Sequence, residues 1–268
     1  MDISFLYSLA DDDIGFGDIS SSILPDTETQ AMIYAKEDMC LAGTGIVRNL
    51  FSHYGVSAMA LKKDGENVKK NEDILSVSGD AKTMLALERT ALNIMQRMSG
   101  IATSTRHCIE IVRGMVIIAG TRKTLLPYFD KKAIQAGGGD PHRWRLDDMI
   151  MIKDNHIDLM GITASVQAAR KISFTKKIEV EVRDEKEAVE ASEAGADIIM
   201  FDNMSPDRIR GIMERLPKAH DGTQLFEASG NITPDTLRDY ADCGIDIVSM
   251  GWLTHSVQAA DISLRIIG

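Results

Sequence analysis

Residues 121 to 145 read TRKTLLPYFDKKAIQAGGGDPHRWR, setting Arg122, Lys123, Lys131, Lys132, Arg143 and Arg145 against only Asp130 and Asp140. The chain as a whole carries a formal net charge of -10, so this local excess of cations suits a small anion of several charges. His142 adds a titratable imidazole and Lys153 a further positive charge. Arginine forks grip carboxylate or phosphate oxygens in pairs, whereas lysine offers a compact ammonium. Gly137, Gly138 and Gly139 permit the backbone to approach such a ligand closely. Taken singly, each cation reads equally well as a solvated surface charge; the grouping is the signal.

Glu179 and Glu181 stand two apart in IEVEV, so on a strand both project from one face. Inside a barrel they need cations, a hydroxyl-bearing ligand or a metal bound through phosphates to answer them. Structural ion pairs with nearby lysines are the alternative. His53, His107, His142, His156, His220 and His255 fall in no HxH or HExxH pattern, so a zinc site is not indicated. Neither a GxSxG elbow nor a Walker A loop occurs. The chemistry left is one that needs positioning and electrostatics more than a protein nucleophile.

Elements that could position these groups are legible. Apolar runs at 115 to 119 (MVIIA), 149 to 153 (MIMIK), 178 to 182 (IEVEV), 197 to 201 (DIIMF), 224 to 228 (QLFEA) and 246 to 250 (DIVSM) read as strands. Helical patterns such as DEKEAVEASEAGA and TPDTLRDYADCG lie between them. Alternating β and α units imply a parallel sheet, and without a GxGxxG element a TIM-like α/β barrel is favoured over a dinucleotide-binding sheet. Polar residues follow each run: Thr121, Arg122 and Lys123; Lys153, Asp154 and Asn155; Glu181; Asp202 and Asn203; Ser229 and Gly230; Gly251. Parallel barrels build their active sites at that end. Before residue 80, the β-like runs AMIYAKEDMCLAG and DILSVSG predict a small sheet domain. A long helix begins near residue 82, with a break or tight packing point at Ser99 and Gly100.

With 44% hydrophobic and 26% charged residues over 268 positions, the composition is that of a globular protein. An acidic chain is repelled by polyanions, which argues against nucleic acid as a partner. No apolar run approaches the roughly 20 residues that span a bilayer. The opening MDISFLYSLADDD lacks the basic region of a secretion signal. Cys40, Cys108 and Cys243 are odd in number and far apart, which suggests buried thiols in a reducing compartment rather than disulfides. These features together predict a cytoplasmic protein with no membrane partner.

DIGFGDISSSIL, LALERTALNIMQRMSGIAT, GTRKT, AGGGDPHR, MIKDNHI, IEVEV, FDN, FEASG and GWLTHS occur in the order and spacing of the quinolinate phosphoribosyltransferases. The chain resembles that family over nearly its whole length. The resemblance implies an N-terminal α/β sandwich domain over residues 1–103, joined by the tail 258–268, and an α/β barrel of about seven strands over 104–257. It implies quinolinate and phosphoribosyl pyrophosphate as substrates, Mg2+ as the metal, and a homodimer with the active site shared across the interface. Carried over by motif, Arg89 would reach the substrate across that interface, while Arg122, Lys123, His142, Arg143 and Lys153 would bind the two carboxylates of quinolinate. Glu181 and Asp202 would face the ribose hydroxyls and, through phosphoribosyl pyrophosphate, the magnesium. Ser229, Gly230, Gly251 and His255 would line the 5-phosphate region. Lys123, Lys153, Glu181 and Asp202 are the candidate catalytic residues.

The sequence departs from the family pattern in LLPYFD after TRKT, in Pro141, Asn231 and Trp252. Pro141-His142-Arg143 resembles the ModD proteins. A ModD-like paralogue transferring phosphoribose to a different aromatic acid is therefore an alternative. A non-catalytic phosphosugar-binding protein is another, although mere capture of an anion gains nothing from Glu181 and Asp202.

Overall fold

The computed structural model describes residues 3–216 and 223–267, so His220 lies outside the described residues. The chain forms two compact units. The first comprises Met1–Arg106, Leu126–Gly138 and Val257–Gly268; the second comprises His107–Leu125 and Gly139–Ser256.

In the first unit, α1 (Ser4–Ile14) precedes β1 (Glu28–Ala35), β2 (Met39–Cys40), α2 (Thr44–His53), β3 (Ser57–Ala60), β4 (Asn67–Val68) and β5 (Asp73–Asp80). The helix α3 (Ala81–Val112) follows without interruption at Ser99 and Gly100. A Cβ at Gly100 would collide with the backbone oxygen of Gln258, so this position is a packing point rather than a break. The tail forms β12 (Ile262–Ile267), which pairs antiparallel with β1, giving a sheet in the order β12-β1-β5-β3. Its buried residues, among them Ile33, Leu75, Val77 and Ile262, form one core with Met84, Leu87 and Met95 of α3.

Residues Pro127–Gly137 form α4, which groups with this first unit although the sequence places them within the barrel span. The reason is its apolar face: Phe129, Ala133 and Ile134 join the first core. Gly137 lets α4 approach α3, since a Cβ there would sit 2.6 Å from the carbonyl oxygen of Ala102 and 2.7 Å from Cβ of Thr105. Gly138, at φ +97°, ends the helix in the left-handed conformation that glycine accepts without cost. Gly137 and Gly138 thus have packing and capping roles. Asp130 is fully buried and receives a two-pronged ion pair from Arg97, both contacts at 2.8 Å. Lys131 is also fully buried, unlike a solvated surface cation.

The second unit carries β6 (Ile117–Ala119), β7 (Ile150–Ile152), α5 (Asp154–Met160), α6 (Ile162–Ile172), β8 (Ile178–Val182), α7 (Glu185–Glu193), β9 (Ile198–Asp202), α8 (Pro206–Met213), β10 (Leu225–Ser229), α9 (Pro234–Ala241), β11 (Ile247–Ser249) and α10 (Trp252–His255). Its six strands are parallel and ordered β6-β11-β10-β9-β8-β7, so β6 and β7 stand at the two ends of a barrel-like sheet. Among the described residues, Asp140 alone extends it, bridging Ala119 in parallel through Asp140 N–H to Ile118 O at 2.8 Å and Gly120 N–H to Asp140 O at 3.0 Å. The seventh strand of the expected barrel is reduced to this one residue.

Register sorts the strand residues by face. Ile178, Val180, Val182, Ile199, Phe201, Ala228, Val248 and Ile118 pack with Val166, Ala188, Ile209 and Leu237 of the helices. The opposite face carries Glu179, Glu181, Met200, Asp202, Glu227, Ser229 and Ser249. The main hydrophobic core of this unit therefore lies between sheet and helices, and the sheet's inner face mixes carboxylates and hydroxyls with apolar residues such as Ile198, Met200 and Ile247.

Candidate active site

Each parallel strand ends at the same edge of the sheet, and the loops beyond deliver the polar side chains. After β6, the turn Thr121–Lys123 is held by Thr121 Oγ1, which accepts from Lys123 N–H at 3.2 Å. Thr254 Oγ1, from α10, donates to the carbonyl of Lys123 at 3.0 Å. Beyond β11, a Cβ on Gly251 would lie 3.1 Å from Cδ2 of His255 and 3.3 Å from Cδ of Lys123. Lys123, Gly251 and His255 thus meet in one place. Trp252 beside them packs against the helix-side core.

At the end of β7, Lys153 forms an ion pair with Glu181 at the end of β8. Glu181 is largely buried and Lys153 half-exposed. Asp202 closes β9 and accepts from Asn203 Nδ2 at 2.9 Å. Asn203 and Asn231 both have left-handed backbones, at φ +51° and +52°, and Asn231 Nδ2 donates to Asn203 Oδ1 at 3.0 Å. A Cβ on Gly230, whose φ is +106°, would run into the Asn203 side chain, so only glycine fits beside Ser229.

Arg122, Lys123 and Arg143 have no ion-pair partner among the described residues. Partial burial and the neighbouring Arg122 charge hold the Arg143 guanidinium below its ordinary pKa, while Glu179 and Glu181 partly offset this. Three cations without counter-ions, two of them near enough to repel, await an anion. Arg89 lies on α3 in the first unit, exposed and without a partner among the described residues.

His142 is placed differently from the other cationic candidates. Its side chain is only 10% exposed, and Nε2 lies 3.2 Å from Glu227 Oε2 and 3.3 Å from Glu179 Oε2. Both glutamates are fully buried on the inner face. The N–H of Arg143 donates to His142 Nδ1 at 2.9 Å, and His142 N–H donates to Asp140 Oδ1 at 2.6 Å. Burial disfavours a charged imidazole, but the hydrogen bonds and charges of Glu179 and Glu227 outweigh it and raise the His142 pKa to about 10. The backbone N–H of Arg143 aimed at Nδ1 opposes a proton on that nitrogen, which places the ring's proton on Nε2, between the two carboxylates. Burial raises the pKa of Glu179, which suits two carboxylates facing a single N–H.

His142, Glu179 and Glu227 have the donor atoms and spacing of a metal site. The tautomer opposes it: ligation through Nε2 requires that nitrogen to be free of its proton. Sequence reasoning missed Glu227. The available signal was its parity with Ser229 in LFEAS, which matches that of Glu179 and Glu181 in IEVEV.

Residues 13–99 match the family model described as quinolinate phosphoribosyl transferase, N-terminal domain, and residues 101–265 match the corresponding C-terminal domain. The chain is 43% identical over 267 residues to a probable nicotinate-nucleotide pyrophosphorylase [carboxylating] of Methanothermobacter thermautotrophicus, with 96% of this chain and 95% of that protein covered. It is 37% identical over 246 residues to the human nicotinate-nucleotide pyrophosphorylase [carboxylating], covering 89% and 82%. Among solved structures, the nicotinate-nucleotide pyrophosphorylase from Francisella tularensis is similar with a TM-score of 0.92 at 31% identity, covering 99% of this chain and 95% of that one. Among the described residues no helix is long and apolar enough to cross a membrane.

Proposed function

The chain belongs to the quinolinate phosphoribosyltransferase family, and from that premise we propose how its barrel residues carry out the reaction. The protein is a pentosyltransferase of NAD biosynthesis that converts quinolinate and phosphoribosyl pyrophosphate to nicotinate mononucleotide, carbon dioxide and pyrophosphate. The observation that carries the residue assignment is the trio Arg122, Lys123 and Arg143, cations without counter-ions where the strands end. A dicarboxylate supplies the missing charge; a monoacid leaves part of it unanswered.

Arg122, Arg143, Lys123 and Lys153 orient quinolinate so that its ring nitrogen faces C1 of the ribose. The nitrogen's electron pair forms the new C–N bond as the C1–O bond breaks and pyrophosphate leaves with that bond's electrons. Glu181 and Asp202 accept hydrogen bonds from the ribose hydroxyls and face the positive charge that develops at the sugar. Loss of the carboxylate beside the nitrogen then releases carbon dioxide, and the ring carbon takes up a proton. Asp202 and Glu181 would hold Mg2+, directly or through water, and the metal would offset the negative charge of the departing pyrophosphate. Ser229, Gly230, Gly251 and His255 accommodate the 5-phosphate. Arg89 completes the pocket from a second copy in a cytoplasmic homodimer.

Steady-state turnover with phosphoribosyl pyrophosphate and Mg2+ tests this reading, with quinolinate and nicotinate offered separately. Turnover with quinolinate alone is expected. Equal turnover with nicotinate would remove the dicarboxylate from the account.

A further inference from the structure

The inner face of a parallel barrel is ordinarily filled by apolar layers. Here it holds two glutamates of zero exposure, an arrangement that is costly unless their charge is answered. Neither oxygen of Glu179 has a hydrogen-bond partner among the described residues, and neither has Glu227 Oε1. Among the described residues, the ring nitrogen that faces both carboxylates is Nε2 of His142, at 3.2 Å from Glu227 and 3.3 Å from Glu179, with the Arg143 charge also favouring ionised Glu179. His142 itself sits at φ +55°, a conformation that costs a residue other than glycine of order 1 kcal/mol. Folding alone needs neither expense.

The surrounding contacts indicate what is gained. The turn hangs on the edge of β6 through Asp140, whose side chain caps the N–H of His142. The next N–H, that of Arg143, is fixed by donating to the same imidazole. Pinning the ring therefore pins the backbone from which the Arg143 side chain departs.

We propose that Glu179 and Glu227 are positioning residues: from inside the barrel they hold the His142 ring in its Nε2–H form, and through it the turn that aims Arg143 at the substrate anion. This rests on the functional reading above. His142 then serves the aromatic acid through Arg143, since both of its ring nitrogens are already engaged. No metal takes part in this anchor.

The test has two arms. In the first, Glu227→Gln and Glu227→Met are compared with the parent enzyme. Glutamine retains an acceptor for Nε2–H and should keep KM for quinolinate within about twofold; methionine removes it and should raise that KM at least about tenfold, with KM for phosphoribosyl pyrophosphate and the melting temperature little changed. Equal loss for both substrates, or a KM that merely follows thermal stability, would overturn the proposal. In the second arm, the unsubstituted protein labelled with 15N-histidine should show one ring fixed as Nε2–H. An Nδ1–H ring at this position, or a stoichiometric transition metal bound there, would overturn it whether or not the variants fold. Absence of turnover by the unsubstituted enzyme would strike at the functional reading alone, because the tautomer signal does not depend on activity.

Discussion

Replacing Arg143 by methionine keeps most of its aliphatic stem and removes its charge, and the consequences for the free and the liganded protein should differ in sign. In the free protein, the guanidinium is partly buried, repelled by Arg122 and without an ion-pair partner among the described residues. Removing it should leave stability unchanged or raise it by up to about 1 kcal/mol, which at this chain length is a rise in Tm of roughly 2–4 °C. Substrate binding should suffer. Truncating one member of a desolvated charge pair costs about 2–5 kcal/mol, and the partial exposure of Arg143 puts it near the lower end. A loss of about 2–3 kcal/mol corresponds to roughly 30- to 150-fold in KM for quinolinate. Differential scanning fluorimetry of the free variant, together with steady-state kinetics in each substrate, reads both effects. A lower Tm with unchanged KM for quinolinate would make Arg143 a structural residue with no part in binding the acid.

Gly251→Ala should raise KM for phosphoribosyl pyrophosphate about three- to tenfold while leaving Tm nearly unchanged, because its φ of -63° suits any residue but the new methyl presses on Lys123 and His255. Equal kinetics would show that those side chains yield without consequence. Asp130→Ala should cost about 3 kcal/mol or more in urea unfolding, since it strips the buried partner from Arg97. A change below 1 kcal/mol, about the value of a surface pair, would mean that the pair is no part of the core. Cys40, Cys108 and Cys243 are buried, with burial raising all three thiol pKa values and carrying Cys108 to about 12. An aromatic disulfide reagent at mild alkaline pH should therefore find no reactive thiol in the native protein and all three after denaturation.

The parallel strands were legible to within a residue or two because each is an apolar run bounded by turns, and because helices cover its outer face. Polar residues at their ends were legible for the same reason: strand direction puts every loop on one side. What failed to show was set by tertiary contact. The expected seventh strand survives as a single bridge at Asp140, and one residue leaves no pattern. Lys131 reads in sequence as part of a cationic cluster, yet on α4 it is fully buried. In the glycine run nearby, Gly137 serves the close approach of α4 to α3 and Gly138 caps the helix, roles that only the packing reveals. His142 was expected among the carboxylate-binding cations; its turn instead directs the ring inward, to a pair of glutamates that only the sheet register brings together.

The proposed reaction is a decarboxylating transfer, and it is tested by following the carbon that is lost. Quinolinate carrying 13C in the carboxylate beside the ring nitrogen should yield labelled carbon dioxide, unlabelled nicotinate mononucleotide and pyrophosphate in equal amounts, and only when phosphoribosyl pyrophosphate is present. A mononucleotide that retains the label, or labelled carbon dioxide released without pyrophosphate, would contradict it.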